Sequence, residues 1–431
     1  MLKPGHIPDR EPFIRVGIVL PEDNISSLTL ETYPGTKFSS GNKESDIKGT
    51  ITIRSDGNHI ISGNIKTGVL KLNHPGEKAH ITVNQVVAGR GFHWSKKIDV
   101  KLRHTIEIRS VNGNILLINE LPLEEYLACV ATSEMSASCP SVYVEAQTIV
   151  ARSWMLANVE QKHRHLGFDV CNDDCCQRYQ GINNLTPHSH KAALNTKGIV
   201  LFYENEIVDA RYSKSCGGVM ERYENLWDNN PKEYMQNKTD ANFELATDLT
   251  REDIFNKWVN SIPATFCSPH FIKEEELHGY LGNVDESGKY FRWTIETTQE
   301  ELTANINRNL NLNASAILHL LPLQRAGSGR LLKLKIVYFD VNKNKKDIVI
   351  HKDYNIRKVL HKKFLYSSAI TIKDIKGTDK TIPEKFIFKG AGWGHGAGMC
   401  QIGALGMSLA GYDTEQIVMH YYPGAVLKKL Y

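Results

Sequence analysis

The chain has 431 residues, 52 Lys and Arg against 48 Asp and Glu, and a formal net charge of +4. That small excess gives no reason to expect a nucleic-acid partner, and a 41% apolar, 23% charged composition is that of an ordinary globular protein with room for two or three domains. No apolar run reaches the length of a membrane span, so no transmembrane segment is expected, and eight cysteines in so long a chain exclude a disulfide scaffold.

The opening MLKPGHIPDREPFIRVGIVLPED shows no signal-peptide core, because VGIVL runs straight into Pro21, Glu22 and Asp23. It reads as a cytosolic chain or as a mature form that has lost its leader. From about Phe13 to Ile118, RVGIVL, SLTLETY, GTITIRS, HITVNQVV and IDVKLRHTIEIRSVNGNILLIN alternate with the period of strands, and VNGN at 111–114 is a hairpin signal. Residues 1–114 are therefore expected to form a mainly β region. The texture changes at Leu121. LPLEEYLACVATSEM opens with Pro122 near a helix start, SASCP interrupts, and a long helix is predicted from about Ser141. Its inward stripe would be Val142, Ala146, Ile149, Ser153 and Ala157, with Glu145 and Arg152 seven apart on one face. Strand-like GIVLFY and EIVDARYSKS follow, completing a stretch over 115–246. Residues 247–387 mix helical and strand patterns, and 388–431 hold a glycine-rich segment followed by helical TEQIVMHYY. The fold class expected is α+β.

Four constellations carry chemistry. Glu134, in ATSEM, falls in a small-residue turn between two predicted helices. A half-buried carboxylate there can have its pKa raised and serve as a general acid, or it can simply cap the next helix. HRHLGFDVCNDDCCQRYQG offers His163 or His165 with Cys171, Cys175 and Cys176. That is a ligand set for tetrahedral zinc; buried thiols or a disulfide are the other readings. Cys216 precedes Gly217 and Gly218, as a nucleophile on a tight turn or as part of a turn lining a groove. Finally, GAGWGHGAGMCQIGALG sets glycine at 390, 392, 394, 396 and 398. Read as a strand, it has one bare face, suited to close approach of backbone or ligand, and one face bearing Trp393 and His395. His395 would face a sugar or other planar polar ligand, or pack in the core.

In this order these pieces resemble the SpoIID/LytB family, the stage II sporulation protein D group of peptidoglycan enzymes. The carrying stretches are LPLEEYLACVATSEMSASCPSVYVEAQTIVARSW, CNDDCCQRYQG, SCGGVMERYENLW and GWGHGAGMCQIGALGMSLAGYDTEQIVMHYYPGA. The likeness covers roughly 115–431, with 247–387 as an insert within the family domain. This chain has Ser136 where proline is usual, Cys139 for tryptophan, Cys175 for histidine and Cys400 for serine.

The resemblance implies a lytic transglycosylase that cleaves the MurNAc–GlcNAc bond of peptide-stripped glycan strands to leave 1,6-anhydroMurNAc ends, with Glu134 as general acid and base. It implies a substrate groove drawing on Ser133, Arg152, Tyr212, Ser215 and Gly217, and on Gly218, His395, Gln401 and Tyr421. Zinc would be held by His165, Cys171, Cys175 and Cys176, as a closed structural site. A second role attached to the family is that of a non-catalytic glycan-binding enhancer of an N-acetylmuramoyl-L-alanine amidase. A cysteine hydrolase using Cys216 or Cys400 is a third class. The substrate points to the cell envelope, periplasmic or extracellular, against the absence of a visible signal peptide.

Overall fold

A computed structural model describes the chain apart from residues 41–42, 74–75, 77–78, 92–94, 229, 246, 283–288 and 378–380, so the expected boundary at residue 246 lies outside the described residues. The chain forms two compact units. One comprises Met1–Asp209 with Gly279–Val284 and Leu427–Tyr431; the other comprises Ala210–His278 with Asp285–Val426.

In the first unit, the alternating N-terminal residues form β1 (Phe13–Val19), β2 (Ser27–Ser40), β3 (Lys43–Asp56), β4 (His59–Ser62), β5 (Ile65–Thr67) and β6 (Val69–Asn73). They continue as β7 (Ile81–Ala88), β8 (Lys96–Leu102), β9 (Thr105–Val111) and β10 (Asn114–Pro122). With the two-residue β11 (Val170–Cys171), the sheet order is β11-β1-β10-β9-β6-β2-β3-β4-β5, and β7 and β8 extend from β2. The predicted hairpin joins β9 to β10, with Val111 paired to Asn114. Asn112 and Gly113 both take positive φ, 52° and 79°, as a type I′ turn requires. The inward faces supply one core, including Ile14, Val16, Ile81, Val83, Ile106, Ile108 and Leu117.

β10 runs directly into α1 (Leu123–Glu134), with the fixed φ of Pro122 (−61°) at the N-cap and Glu124 and Glu125 in the first turn, where the helix dipole favours them. Pro140 likewise leads into α2 (Ser141–Ala157), which stops at Asn158 in the left-handed conformation. The narrow stripe expected on α2 is an underestimate: both helices are buried on nearly every face, α1 along all of its length except Glu125. Helices of this kind belong inside a domain. α3 (Pro187–Asn195) packs against both, followed by β12 (Ile199–Tyr203) and β13 (Glu206–Ile207). β12 also pairs with the C-terminal strand Val426–Lys429.

Arg152 has no exposed surface. Its guanidinium forks onto Glu124 at 3.0 and 2.5 Å and donates to the Ile199 carbonyl at 2.9 Å. Glu124 also accepts the Tyr431 hydroxyl at 2.8 Å. One ion pair thus ties α1, α2, β12 and the C-terminus.

The second unit contains β14 (Tyr212–Ser213), α4 (Glu252–Val259), α5 (Glu274–Leu277), β15 (Arg292–Thr298) and α6 (Gln299–Leu310). After these come β16 (Ala314–Arg325), β17 (Leu331–Asp340), β18 (Lys345–His351), α7 (Asp353–Leu360), β19 (Ile370–Lys376) and β20 (Pro383–Ala391). The short β21 (Met399–Cys400), α8 (Gln401–Leu409) and α9 (Thr414–Tyr421) close it. A β15-β20-β19 sheet and a β16-β17-β18 meander enclose a core that includes Trp293, Leu302, Ile317, Ile336, Ile356 and Phe388. The α+β class expected from the sequence is the class observed, mainly β at the N-terminus. Among the described residues, no helix is long and apolar enough to cross a membrane.

Removing one partner of a buried ion pair leaves the other uncompensated, at a cost of about 3–5 kcal/mol. Arg152→Ala is therefore expected to lower the urea unfolding midpoint sharply, whereas Lys66→Ala, which opens the exposed pair with Asp56, should leave it in place.

Candidate functional site

Glu134 is the last residue of α1, because Met135 turns to extended geometry (φ −138°, ψ 158°). The exit turn is held by the Ser136 N–H on the Tyr280 carbonyl (2.9 Å) and the Cys139 N–H on Ser136 O (3.1 Å). A carboxylate here meets the carbonyl-rich, negative end of the helix and needs positive partners. Glu134 Oε1 accepts the Arg178 backbone N–H at 3.0 Å. The Arg178 side chain is buried and bound to Asp174 at 2.8 Å. Burial opposes its charge, but Asp174 and then Glu134 outweigh that and raise its pKa. Glu134 retains 7% of its surface. Ser133, beside it, is turned back into its own helix, donating to Cys129 O at 2.8 Å.

The segment that supplies Arg178 is anchored at its other end by sulfur. Cys171 ends β11, alongside β1, and the turn that follows is fixed by Asp173, which accepts the Gly89 and Arg90 N–H groups at 3.0 and 2.7 Å. Cys171, Cys175 and Cys176 converge with His163, their ligand atoms all within 4.8 Å of one another. Cys175 Sγ lies 3.0 Å from Cys171 Sγ, 4.0 Å from Cys176 Sγ and 3.9 Å from His163 Nε2. Hydrogen bonds from Cys171, then Cys176, hold the Cys175 thiol well below its ordinary range, and His163 adds to the effect. The histidine differs from the one expected. His163 stacks on Phe168 at 4.8 Å, which aims Nε2 at the thiols, while His165 is exposed in the 3-10 turn Arg164–Leu166 and lies outside the cluster. The adjacent pair Cys175–Cys176 both reach inward because the chain turns at that point, with the Cys176 N–H on Asp173 O. Three soft sulfurs and one imidazole nitrogen are the donor set that zinc takes.

In the second unit, the glycine segment leaves strand geometry after Ala391, where β20 ends. Gly392, Gly394, Gly396 and Gly398 have φ of 76°, 96°, 77° and 67°, the left-handed region that side chains avoid. The alternation of the sequence mimics a strand, but its physical basis is left-handed backbone at every second position. The bare positions are filled by neighbours: a β-carbon at Gly398 would overlap the Arg211 carbonyl, one at Gly396 the Arg330 guanidinium, and one at Gly392 would lie 2.7 Å from Ser215 O. Ser215 and Trp393 exchange backbone hydrogen bonds at 2.9 and 2.8 Å, and Gly217 abuts Gly392. Ser215, Gly217, Gly218, Gln401 and Tyr421 are all buried, and Tyr421 donates to Asp240 at 2.8 Å. Arg152, in the first unit, is committed to Glu124. Tyr212 and His395 keep partial exposure, and His395 meets Trp227 edge-on at 5.0 Å.

Residues 111–203, which include Glu134 and the His163 cluster, match the family model described as stage II sporulation protein. This part of the chain is a SpoIID domain. Residues 221–398 match a second model, described as a domain of unknown function (DUF8618). An uncharacterized protein of Brachyspira hyodysenteriae is 24% identical over 73% of this chain and 68% of its own length. The amidase enhancer of Bacillus subtilis is 24% identical over 69% of this chain, which spans only 39% of that longer protein. The stage II sporulation protein D of Bacillus amyloliquefaciens is 24% identical over 71% of this chain and 74% of its own.

The SpoIID match leaves out a second cluster: Cys216 and Cys400, separate candidates in the sequence, gather with Cys267 and Asp240, which no motif marks. Cysteine count was the available signal; convergence of positions so far apart in the chain was not. His395 is also more constrained than its sequence suggests. Its Nδ1 accepts the Ala397 N–H at 3.1 Å, so the ring proton sits on Nε2. Burial, then the charges of Arg211, Arg330 and Arg357, lower its pKa to about 3. It is a neutral hydrogen-bonding ring at physiological pH. Its NMR ring signals should hold constant from about pH 8 to about pH 5, across the range where a free histidine titrates. As pH falls below the unfolded value of about 6.5, the unfolded chain takes up a proton that the native ring refuses, so this group erodes stability down to about pH 3.

Proposed function

We propose that the chain is a peptidoglycan lytic transglycosylase that acts on glycan strands stripped of peptide, with Glu134 as both acid and base. The observation that carries this reading is the Glu134 carboxylate, inside the SpoIID match, with one oxygen tied to the Arg178 N–H and a small part of its surface left open. One carboxylate suffices for this chemistry. Most glycosidases use two, because water or an enzyme nucleophile must attack. Here the muramic acid's own C6 hydroxyl attacks C1. Protonated Glu134 gives its proton to the bridging oxygen as the C1–O bond breaks, then takes the C6 proton as the C6 oxygen bonds to C1. The products are a 1,6-anhydro end and a free sugar hydroxyl, and no water is consumed. The attacking group is already part of the bound ring, which supplies effective concentration.

Zinc in the His163, Cys171, Cys175 and Cys176 cluster would supply a structural tie. Those residues hold the turn that leads to Arg178, and Arg178 in turn holds Glu134. With a cell-wall substrate, the working location is the cell envelope. A second reading, as a glycan-binding amidase enhancer, is favoured by the Bacillus subtilis relative of that name, at the same 24% identity as the sporulation protein.

Purified protein and peptide-free glycan strands separate the two. Wild type should release products with anhydro-muramic ends. Glu134→Gln, which keeps the shape but loses the proton, should be slower by roughly 10²–10⁴ while still binding the strands. Strand binding by both proteins with cleavage by neither would support the enhancer; equal cleavage by both would remove Glu134 from the chemistry.

A further inference from the structure

Cys216, Asp240, Cys267 and Cys400 are fully buried in the second unit, and one ligand atom from each lies within 4.8 Å of the others. In their ionised forms these four groups could not sit together away from water unless something positive joined them. The two edges from Cys216, to Cys267 and to Asp240, have the lengths of a coordination shell. A tetrahedral zinc with Zn–S of about 2.3 Å and Zn–O of about 2.0 Å sets sulfur–sulfur edges near ~3.8 Å and sulfur–oxygen edges near ~3.5 Å. Cys216 Sγ lies 3.7 Å from Cys267 Sγ and 3.5 Å from Asp240 Oδ2.

The surroundings are arranged for anionic sulfur. Cys400 Sγ accepts the N–H groups of Cys216 and Gly403, at 3.2 and 3.3 Å. Cys216 Sγ accepts the Gly218 N–H at 3.4 Å. Donors aimed at sulfur favour the thiolate, which is the ligating form. Asp240 is oriented as metal-bound carboxylates are. Its Oδ1 accepts Tyr421 OH at 2.8 Å and faces His420 Nε2 at 3.6 Å, and its Oδ2 accepts the Cys267 N–H at 3.1 Å. Arg292 donates to the carbonyl of Gly217, next to Cys216 in the chain, at 2.9 Å.

We propose that Cys216, Asp240, Cys267 and Cys400 form a closed structural zinc site, distinct from the His163 cluster. It would tie the loop after β14, two loops of the 239–268 region and the N-cap of α8, segments joined by little regular structure. The site has no open position, so it contributes folding energy rather than chemistry.

Native mass spectrometry of the full chain, purified under reducing conditions from zinc-supplemented medium, tests this. Wild type should carry two zinc ions, Cys267→Ser one, and Cys175→Ser one. Asp240→Asn, which preserves volume, should bind the second ion more weakly and release it first to a chelator. If Cys267→Ser proves too unstable to purify, the wild-type count and Cys175→Ser decide. Two ions falling to one on Cys175→Ser support the site; one ion falling to none overturns it. A zinc count unchanged by Cys267→Ser, or a native mass lower by two hydrogens from a Cys216–Cys267 disulfide, would also overturn it. The counts are independent of glycan cleavage, so they stand whether or not the transglycosylase reading does.

Discussion

The backbone hydrogen bond from Arg178 N–H to Glu134 joins the carboxylate on which the proposed chemistry rests to a segment outside its own helix. Glu134 stands at the wrong pole of its helix for a negative charge, and neither α1 nor the exit turn offers it a cation. The support comes from a separate segment. That segment is held by β11 against β1, by Asp173 against Gly89 and Arg90, and by the sulfur cluster one turn upstream. The position of the carboxylate is therefore set by the irregular stretch from Cys171 to Arg178 at least as much as by the helix that carries it.

The rigid side of that arrangement is the buried pair of helices. Arg152 and Glu124 sit where α1, α2, β12 and the C-terminal residues meet, and Tyr431 completes the carboxylate's bonds. An interior ion pair is weak evidence for net stability, but a packing that separated the two would leave a buried charge without its partner. The family likeness places Arg152 in the substrate groove, and helical spacing puts Glu145 on the same face of α2. In the fold, Glu145 instead accepts from Asn195 at 2.8 Å near the surface, while Arg152 turns inward.

Much of the first unit is legible in the sequence because local rules govern it. Period-two alternation gives the strands, Asn112–Gly113 gives the hairpin, and Pro122 and Pro140 mark the two helix starts. Glu134 stands out through family likeness rather than pattern. What could not be read is set by tertiary structure or by backbone conformation. His163 and His165 are equivalent in spacing, and only the stacking of His163 on Phe168 separates them. The glycine segment has the alternation of a strand, yet positive φ at four of its glycines makes it a ribbon packed against backbone at 211–217 and the Arg330 side chain. Cys216 and Cys400 are 184 residues apart, and nothing in either motif announces the other.

The most direct measurement is hydrogen exchange at the Arg178 amide in wild type and in Cys175→Ser. Protection in wild type, lost in the variant while the amides of α1 and α2 stay protected, is the expected result: the sulfur cluster then positions the segment that holds Glu134. An Arg178 amide that exchanges equally slowly in both proteins would contradict it, leaving the cluster without a role in placing the carboxylate.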